Sequence, residues 1–226
     1  QDISAFLDYV TQISNSSPVI VSHSFGGLAV MKYLESKLPS EKDYLRGAVF
    51  MCSVPPSGNQ KLILRFFRRS LSDSWKVTAG LAMKKCIDDD NLCRTMFFGG
   101  EKEVKTYGKI GDIVDDKGVS DDDLKRYQSY FLRDTVATID LKDLATKLPS
   151  SKVDAQGMAL FVENLPPTLV IGATDDFIVD HEGVSETSKY FGVDPIIVDS
   201  PHDVMLGNKW KNAADAIHNW LQTSVI

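Results

Sequence analysis

Val19-Ile20-Val21-Ser22-His23-Ser24-Phe25-Gly26-Gly27 runs from three β-branched apolar residues into a serine flanked by small residues and closes on two glycines. The apolar run reads as a short buried parallel strand. Leu28, Met31 and Leu34 then recur at helix spacing, and Pro39 marks that helix's end. Strand, turn and helix in this order are the setting of a nucleophile elbow, Gly-x-Ser-x-Gly, with Ser22 in place of the first glycine. Such a turn is strained and lifts the Ser24 hydroxyl into the open. Small residues two before and two after it, Ser22 and Gly26, are expected to avoid collision with the turn. The turn also sets Ser24 at a helix N-terminus, where the Phe25 N–H can donate to a developing oxyanion. The competing reading is a Gly/Ser-rich turn that merely caps a helix; strand, turn and helix in register favour the nucleophile.

Working outward, a second strand is expected at Ala48 to Cys52, ended by Pro55-Pro56-Ser57-Gly58. From Gln60 to Pro149 amphipathic, charge-laced segments without a comparable strand signal read as a helical insert. Asp73 is a candidate N-cap for a helix from Ser74 to Cys86, and Ser120 with Asp123 resembles a capping box for Asp121 to Arg133. Strands return at Thr168 to Ile171 and Ile196 to Val198, with a helix near Val184 to Phe191 stopped by Gly192. A last amphipathic helix follows Asn208, with Trp210, Ala213, Ala214, Ile217, Trp220 and Leu221 on its apolar face. Strands alternating with helices imply a mostly parallel α/β sheet. Residues 1–59 and 150–226 would form its core and 60–149 the insert.

Parallel sheets place their sites at strand C-termini. After the strand at Thr168 comes Gly172-Ala173-Thr174-Asp175-Asp176-Phe177-Ile178-Val179, with two carboxylates; after the strand at Ile196 comes Asp199-Ser200-Pro201-His202-Asp203. A serine nucleophile needs a base and an acid that holds it, and His202 with Asp175 or Asp176 could supply them. The other histidines fit less well: His23 adjoins the serine and is expected to point away, and His181 and His218 fall in helical patterns. The order serine, acid, histidine is that of one triad-bearing fold and not of the other two common ones.

With VSHSFGG around Ser24, MCSVPPSG at Met51 to Gly58, GATDDFIVD at Gly172 to Asp180 and DSPHDVMLG at Asp199 to Gly207, the sequence resembles the α/β-hydrolase superfamily. Within it, the chain is most similar to plant and algal serine hydrolases related to monoacylglycerol lipases and lysophospholipases. The resemblance implies that 60–149 is a helical cap. It implies Ser24 as nucleophile, His202 as general base and then acid, and Asp176 as the orienting carboxylate. Asp176 is preferred to Asp175 because the family pattern is spaced Asp-x-Ile-Val. The expected reaction is hydrolysis of a small-molecule ester of an apolar acyl group, with no cofactor. An acyltransferase on the same triad and a ligand-binding receptor on this fold are the alternatives; dehalogenase and epoxide hydrolase relatives carry aspartate at the elbow. Members of the superfamily begin with several strands and an oxyanion loop, whereas Gln1 to Ser17 alone precede Val19. Those strands and the second oxyanion donor are therefore expected upstream of Gln1.

Composition narrows the partners. The net charge of −6 argues against nucleic acid or an anionic membrane surface, and the basic run Arg65, Arg68, Arg69 is too short to reverse it. No apolar run reaches the length of a membrane span. Cys52, Cys86 and Cys93 show no metal-ligand spacing and read as reduced thiols, which points to an intracellular, reducing compartment, a plastid being compatible with the resemblance. The aspartate clusters 88–90, 115–116 and 121–123 lack the spacing of a calcium loop, so no metal is expected. Phe66, Phe67, Trp75, Met83, Met96, Phe97, Phe98, Tyr130 and Phe131 give the insert an apolar inventory that either lines a substrate site or forms the insert's own core.

Overall fold

Among the residues the structure describes, four strands, β1 (Val19–His23), β2 (Gly47–Met51), β3 (Thr168–Asp175) and β4 (Ile196–Pro201), pair in parallel in the order β1-β2-β3-β4. This computed structural model describes residues 2–37, 44–82, 84–100, 118–135, 146–147, 150 and 152–225. Val21 faces Val49 across β1 and β2, Phe50 faces Val170 across β2 and β3, and Ala173 faces Val198 across β3 and β4. The register shifts between Ala173 and Asp175, where β3 turns toward the loop that carries the acids.

Every residue of β2 is buried, as a central parallel strand requires. Its side chains alternate between two apolar layers. Ala48 and Phe50 join Val170 and the helices α2 (Phe25–Glu35) and α7 (His181–Phe191) on one face; Val49 and Met51 join Leu169, Ile171 and α8 (Trp210–Trp220) on the other. Phe50 stacks on Phe191 at 4.4 Å. Helix α1 (Asp2–Ser14) packs on the first layer through Leu7 and Ile3. β1 is the outer strand among the described residues, with Val21 48% exposed.

Both β3 and β4 run longer than the apolar signal. β3 continues through Gly172, Ala173 and Thr174 to Asp175, and β4 through Asp199 and Ser200 to Pro201, because ladder hydrogen bonds persist where the side chains turn polar. The prolonged β4 leaves His202 immediately beyond its end.

From Gln60 to Thr135 the described residues are helical or looped: α3 (Gln60–Arg69), α4 (Leu71–Val77), α5 (Asp90–Cys93) and α6 (Asp121–Asp134), with π-helical turns at Thr78–Ala82 and Arg94–Phe98. Ser120 caps α6 as expected, accepting the Asp123 N–H at 3.1 Å. The cap assigned to Asp73 is corrected. Ser70, extended between α3 and α4, accepts the Asp73 N–H at 3.2 Å, so the helix starts at Leu71 and passes into the π-helical turn after Val77. Arg65 forks onto both oxygens of Asp180, at 2.6 and 2.7 Å, and ties α3 to the cap of α7.

The aromatic inventory divides. Phe66, Met96 and Phe98 are buried, Phe97 and Phe131 are half-buried, and Phe67, Trp75 and Tyr130 are exposed; Met83 lies outside the described residues. On α8, Ala213 and Trp220 are buried, but Trp210, placed on the apolar face by its spacing, is 51% exposed at the helix start. The three cysteines are free and buried. Among the described residues no helix is long and apolar enough to cross a membrane.

Candidate active site

The chain leaves β1 through Ser24, whose φ of 51° and ψ of −127° lie in a region that side-chain-bearing residues rarely occupy. Neighbouring strands hold the turn: the Ser24 N–H donates to Met51 O at 3.2 Å, and the Val54 N–H donates to Ser24 O at 3.1 Å. The Ser24 hydroxyl does not cap α2 and is left for another partner. The Phe25 N–H sits in the first turn of α2, among amides that a helix leaves without internal acceptors.

The small residues of the elbow serve other ends than expected. Ser22 is buried and its hydroxyl donates to Val49 O at 3.0 Å, tying β1 to β2. A Cβ at Gly26 would meet nothing within 4 Å, whereas one at Gly27 would fall 2.1 Å from Ser53 Oγ. The steric demand therefore lies at Gly27, where α2 crosses the loop after β2.

His202 Nε2 lies 3.1 Å from Ser24 Oγ, and its Nδ1 lies 2.9 Å from both oxygens of Asp176. With the Nδ1 proton donated to Asp176, Nε2 is the acceptor for the Ser24 hydroxyl. Asp176 is itself fixed by the Ile178 and Val179 N–H groups, each 2.8 Å from Oδ1, and its side chain is 1% exposed. Asp175, the other candidate, ends β3 opposite Pro201. Burial lowers the affinity of His202 for a proton, but the charge of Asp176, its hydrogen bond and the charge of Asp203 outweigh that and raise its pKa above the ordinary imidazole value.

Three residues that the sequence reading passed over surround this group. His23, expected to point away from the serine, packs its ring against His202: the ring centroids are 4.7 Å apart, and Nε2 donates to His202 O at 3.0 Å. Burial and the neighbouring His202 push His23 down to about 4. Asp203 places a carboxylate oxygen 3.6 Å from His23 Nε2, and burial pushes it up to about 6. Cys52, buried just past the end of β2, brings its sulfur within 4.8 Å of an Asp176 carboxylate oxygen and a His202 ring nitrogen. All three stand inside the motifs that carry the resemblance, where they read as neighbours of other residues. His181 and His218 lie on α7 and α8.

Above His202 the π-helical turn Arg94–Phe98 supplies Phe97, 6.3 Å from the imidazole and 5.5 Å from Phe131, and the Asp203 N–H donates to Phe97 O at 3.0 Å. Two sets of metal-capable donors, His23/His202/Asp203 and Cys52/Asp176/His202, each gather their donor atoms within 4.8 Å of one another. Both depend on His202, whose two ring nitrogens are engaged by Asp176 and Ser24.

A parallel α/β sheet carrying a serine at a strand–turn–helix elbow, with a histidine and an aspartate on later strand ends, defines the class. The chain belongs to the alpha/beta hydrolase family, whose model matches residues 1–214. Solved structures repeat the fold. A bromoperoxidase from Bacillus anthracis is 18% identical, with a TM-score of 0.54, over 97% of this chain and 72% of its own. A thermophilic esterase is 16% identical, with a TM-score of 0.51, over 99% and 73%. A structure from a study of carboxylesterases of Nitrososphaera gargenis is 15% identical, with a TM-score of 0.50, over 98% and 71%. No curated protein matches the chain.

Proposed function

We propose that the protein is a serine hydrolase that cleaves carboxylic esters of apolar acyl groups through an acyl-enzyme. The observation that carries this reading is the unbroken relay at the elbow: Ser24 Oγ to His202 Nε2 at 3.1 Å and His202 Nδ1 to Asp176 at 2.9 Å. Ser24 attacks the ester carbonyl as His202 takes its proton. Asp176 stabilises the imidazolium and holds the tautomer. The Phe25 N–H donates to the oxyanion, and loss of one such donor typically costs about 100- to 1,000-fold in kcat. His202 then protonates the departing alcohol, and a water activated by the same imidazole releases the acid.

The preference for apolar acyl groups draws on the half-buried Phe97 beside His202 and on the motif resemblance to lipid-ester hydrolases. Residues 60–149 act in this reading as a cap that sets chain-length preference. The three free thiols fit a reducing compartment.

The test is fluorophosphonate labelling together with turnover of p-nitrophenyl esters of increasing chain length. Labelling and turnover should vanish in Ser24→Ala and persist in Ser22→Ala. His202→Ala should lose about four orders of magnitude or more in kcat. Phe97→Ala should change the ranking of chain lengths while Ser24 remains labelled. Labelling that survives Ser24→Ala would sink the assignment, and a chain that labels without turning over would favour a receptor.

A further inference from the structure

The four strand ends deliver four side chains in spatial order: Ser24 after β1, Cys52 after β2, Asp176 after β3 and His202 after β4. Three have a part in the reaction proposed above, and Cys52 has none. Yet the Cys52 sulfur, an Asp176 carboxylate oxygen and a His202 ring nitrogen all lie within 4.8 Å of one another. Cys52 is 0% exposed, and its own N–H donates to Ile171 O at 2.8 Å, which locks it to the strand that carries Asp176.

Two features separate this thiol from ordinary apolar filling. Its φ is 44°, a conformation in which a side chain costs strain and glycine costs none. The second feature is the carboxylate's own anchoring: both of its backbone donors, Ile178 and Val179, fall on Oδ1. Among the described residues Oδ2 is then left with His202 Nδ1 alone. The buried thiol arriving from β2 stands beside this carboxylate.

We infer that Cys52 is a positioning residue whose S–H donates to Asp176 and holds the carboxylate against His202 Nδ1, so that Nε2 is presented to Ser24. This rests on the triad reading. Burial and the charges of Asp176 and Asp203 push the thiol well above its ordinary value, so it remains a donor at neutral pH and is no nucleophile. Among the described residues, the charged and titratable groups facing His202 are then Asp176 after β3, Asp203 beside it, His23 from β1 and Cys52 after β2.

The experiment compares wild type, Cys52→Ala and Cys52→Ser in the pH dependence of kcat/KM for a short p-nitrophenyl ester, with fluorophosphonate labelling of each. Cys52→Ala should lower kcat about five- to tenfold, the scale of one neutral hydrogen bond, with little change in KM. It should also move the acid limb upward, because a carboxylate without its donor attracts the imidazolium proton more strongly. Cys52→Ser keeps a donor and should restore both. Serine as impaired as alanine would assign the residue to packing, and alanine equal to wild type would remove it from the mechanism; either overturns the inference. Should neither variant fold, the infrared S–H stretch of wild type against Asp176→Asn reads the bond directly. The band should move to higher frequency in Asp176→Asn, and an unmoved band overturns the inference. A wild type that fails to label at Ser24 refutes the triad reading itself, whereas a labelled wild type with unaffected variants refutes only the role of Cys52.

Discussion

His23 Nε2 lies 3.6 Å from an Asp203 carboxylate oxygen, and burial drives the two groups toward their neutral forms from opposite directions. Unfolded, the imidazole titrates near 6.5 and the carboxyl near 3.8; folded, they titrate near 4 and near 6. Between those limits the unfolded chain binds more protons at His23, so that residue's contribution to stability rises with pH. At Asp203 the folded chain binds more, so its contribution falls. The two slopes oppose each other beside His202, and the pair leaves little net pH dependence.

Single variants should expose the hidden slopes. Relative to wild type, Asp203→Asn should be more favourable at pH 7 than at pH 4, because it removes a buried charge present only at the higher pH. His23→Gln should be more favourable at pH 4 than at pH 7. Each difference should be about 2–3 kcal/mol, because each group's pKa moves by about two on folding and each tenfold change in proton affinity is worth about 1.4 kcal/mol. Urea denaturation at the two pH values measures it, and variant curves parallel to wild type would show that neither group is desolvated as described.

In the proposed reaction the raised pKa of His202 sets the acid limb of activity. The imidazole must be neutral to accept the Ser24 proton, so kcat/KM should fall on acidification with a midpoint above the ordinary imidazole value of about 6.5. Asp203→Asn removes one of the charges that raise it and should move the midpoint down, opposite to the shift expected for Cys52→Ala. A pH–rate profile of the two variants checks both signs.

What the sequence made legible was local. Val19-Ile20-Val21 before Ser24 and the glycines after it are contiguous, so the strand, elbow and helix could be read directly, as could the Gly192 stop of α7. The gathering of Ser24, Asp176 and His202 depends on the strand order; chain order and the strand-end rule narrowed the acid to Asp175 or Asp176, and only the spacing of the family pattern chose between them. His23 and Asp203 were missed because each looked like an incidental neighbour of a chosen residue. Their meeting depends on β4 running on to Pro201, past the apolar residues that signal a strand. The helix start at Leu71 was missed because Ser70 breaks α3 from α4 by an extended backbone, which leaves no mark on the apolar pattern.

Arg65 and Asp180 join the helical segment to the core. The side chains are 16% and 8% exposed, the guanidinium donates to both carboxylate oxygens, and Asp180 also accepts the Gly183 N–H at 2.9 Å as the cap of α7. Arg65→Ala should therefore leave a largely buried carboxylate without its counter-charge and destabilise by about 2–4 kcal/mol, below the range for fully buried pairs because the arginine keeps some solvent. Hydrogen exchange should quicken first along α3. Asp180→Asn, which keeps an acceptor for Gly183, should cost less than Asp180→Ala. Equal costs would mean that the cap adds nothing.

The last prediction concerns the elbow's glycines, and it separates packing from openness. A methyl at Gly27 would fall 2.1 Å from Ser53 Oγ and 2.7 Å from Ser53 Cβ, inside any allowed contact. Ser53 lies between Cys52, whose sulfur sits within 4.8 Å of an Asp176 carboxylate oxygen, and Val54, whose N–H holds Ser24 O. Displacing it would disturb both ends of the relay. Gly27→Ala should therefore cost about 1–3 kcal/mol of stability by overpacking and lower kcat as well. The Ser53 hydroxyl is buried without a hydrogen-bond partner, so removing it forfeits no bond. Ser53→Gly should on that account restore most of the stability lost in Gly27→Ala. Gly26→Ala meets open space and, with alanine the better helix former, should leave the melting temperature unchanged or slightly raised. Thermal melts of Gly26→Ala, Gly27→Ala, Ser53→Gly and the Gly27→Ala/Ser53→Gly double variant decide the matter: Gly26→Ala more damaging than Gly27→Ala would return the steric demand to the position that the motif alone suggests.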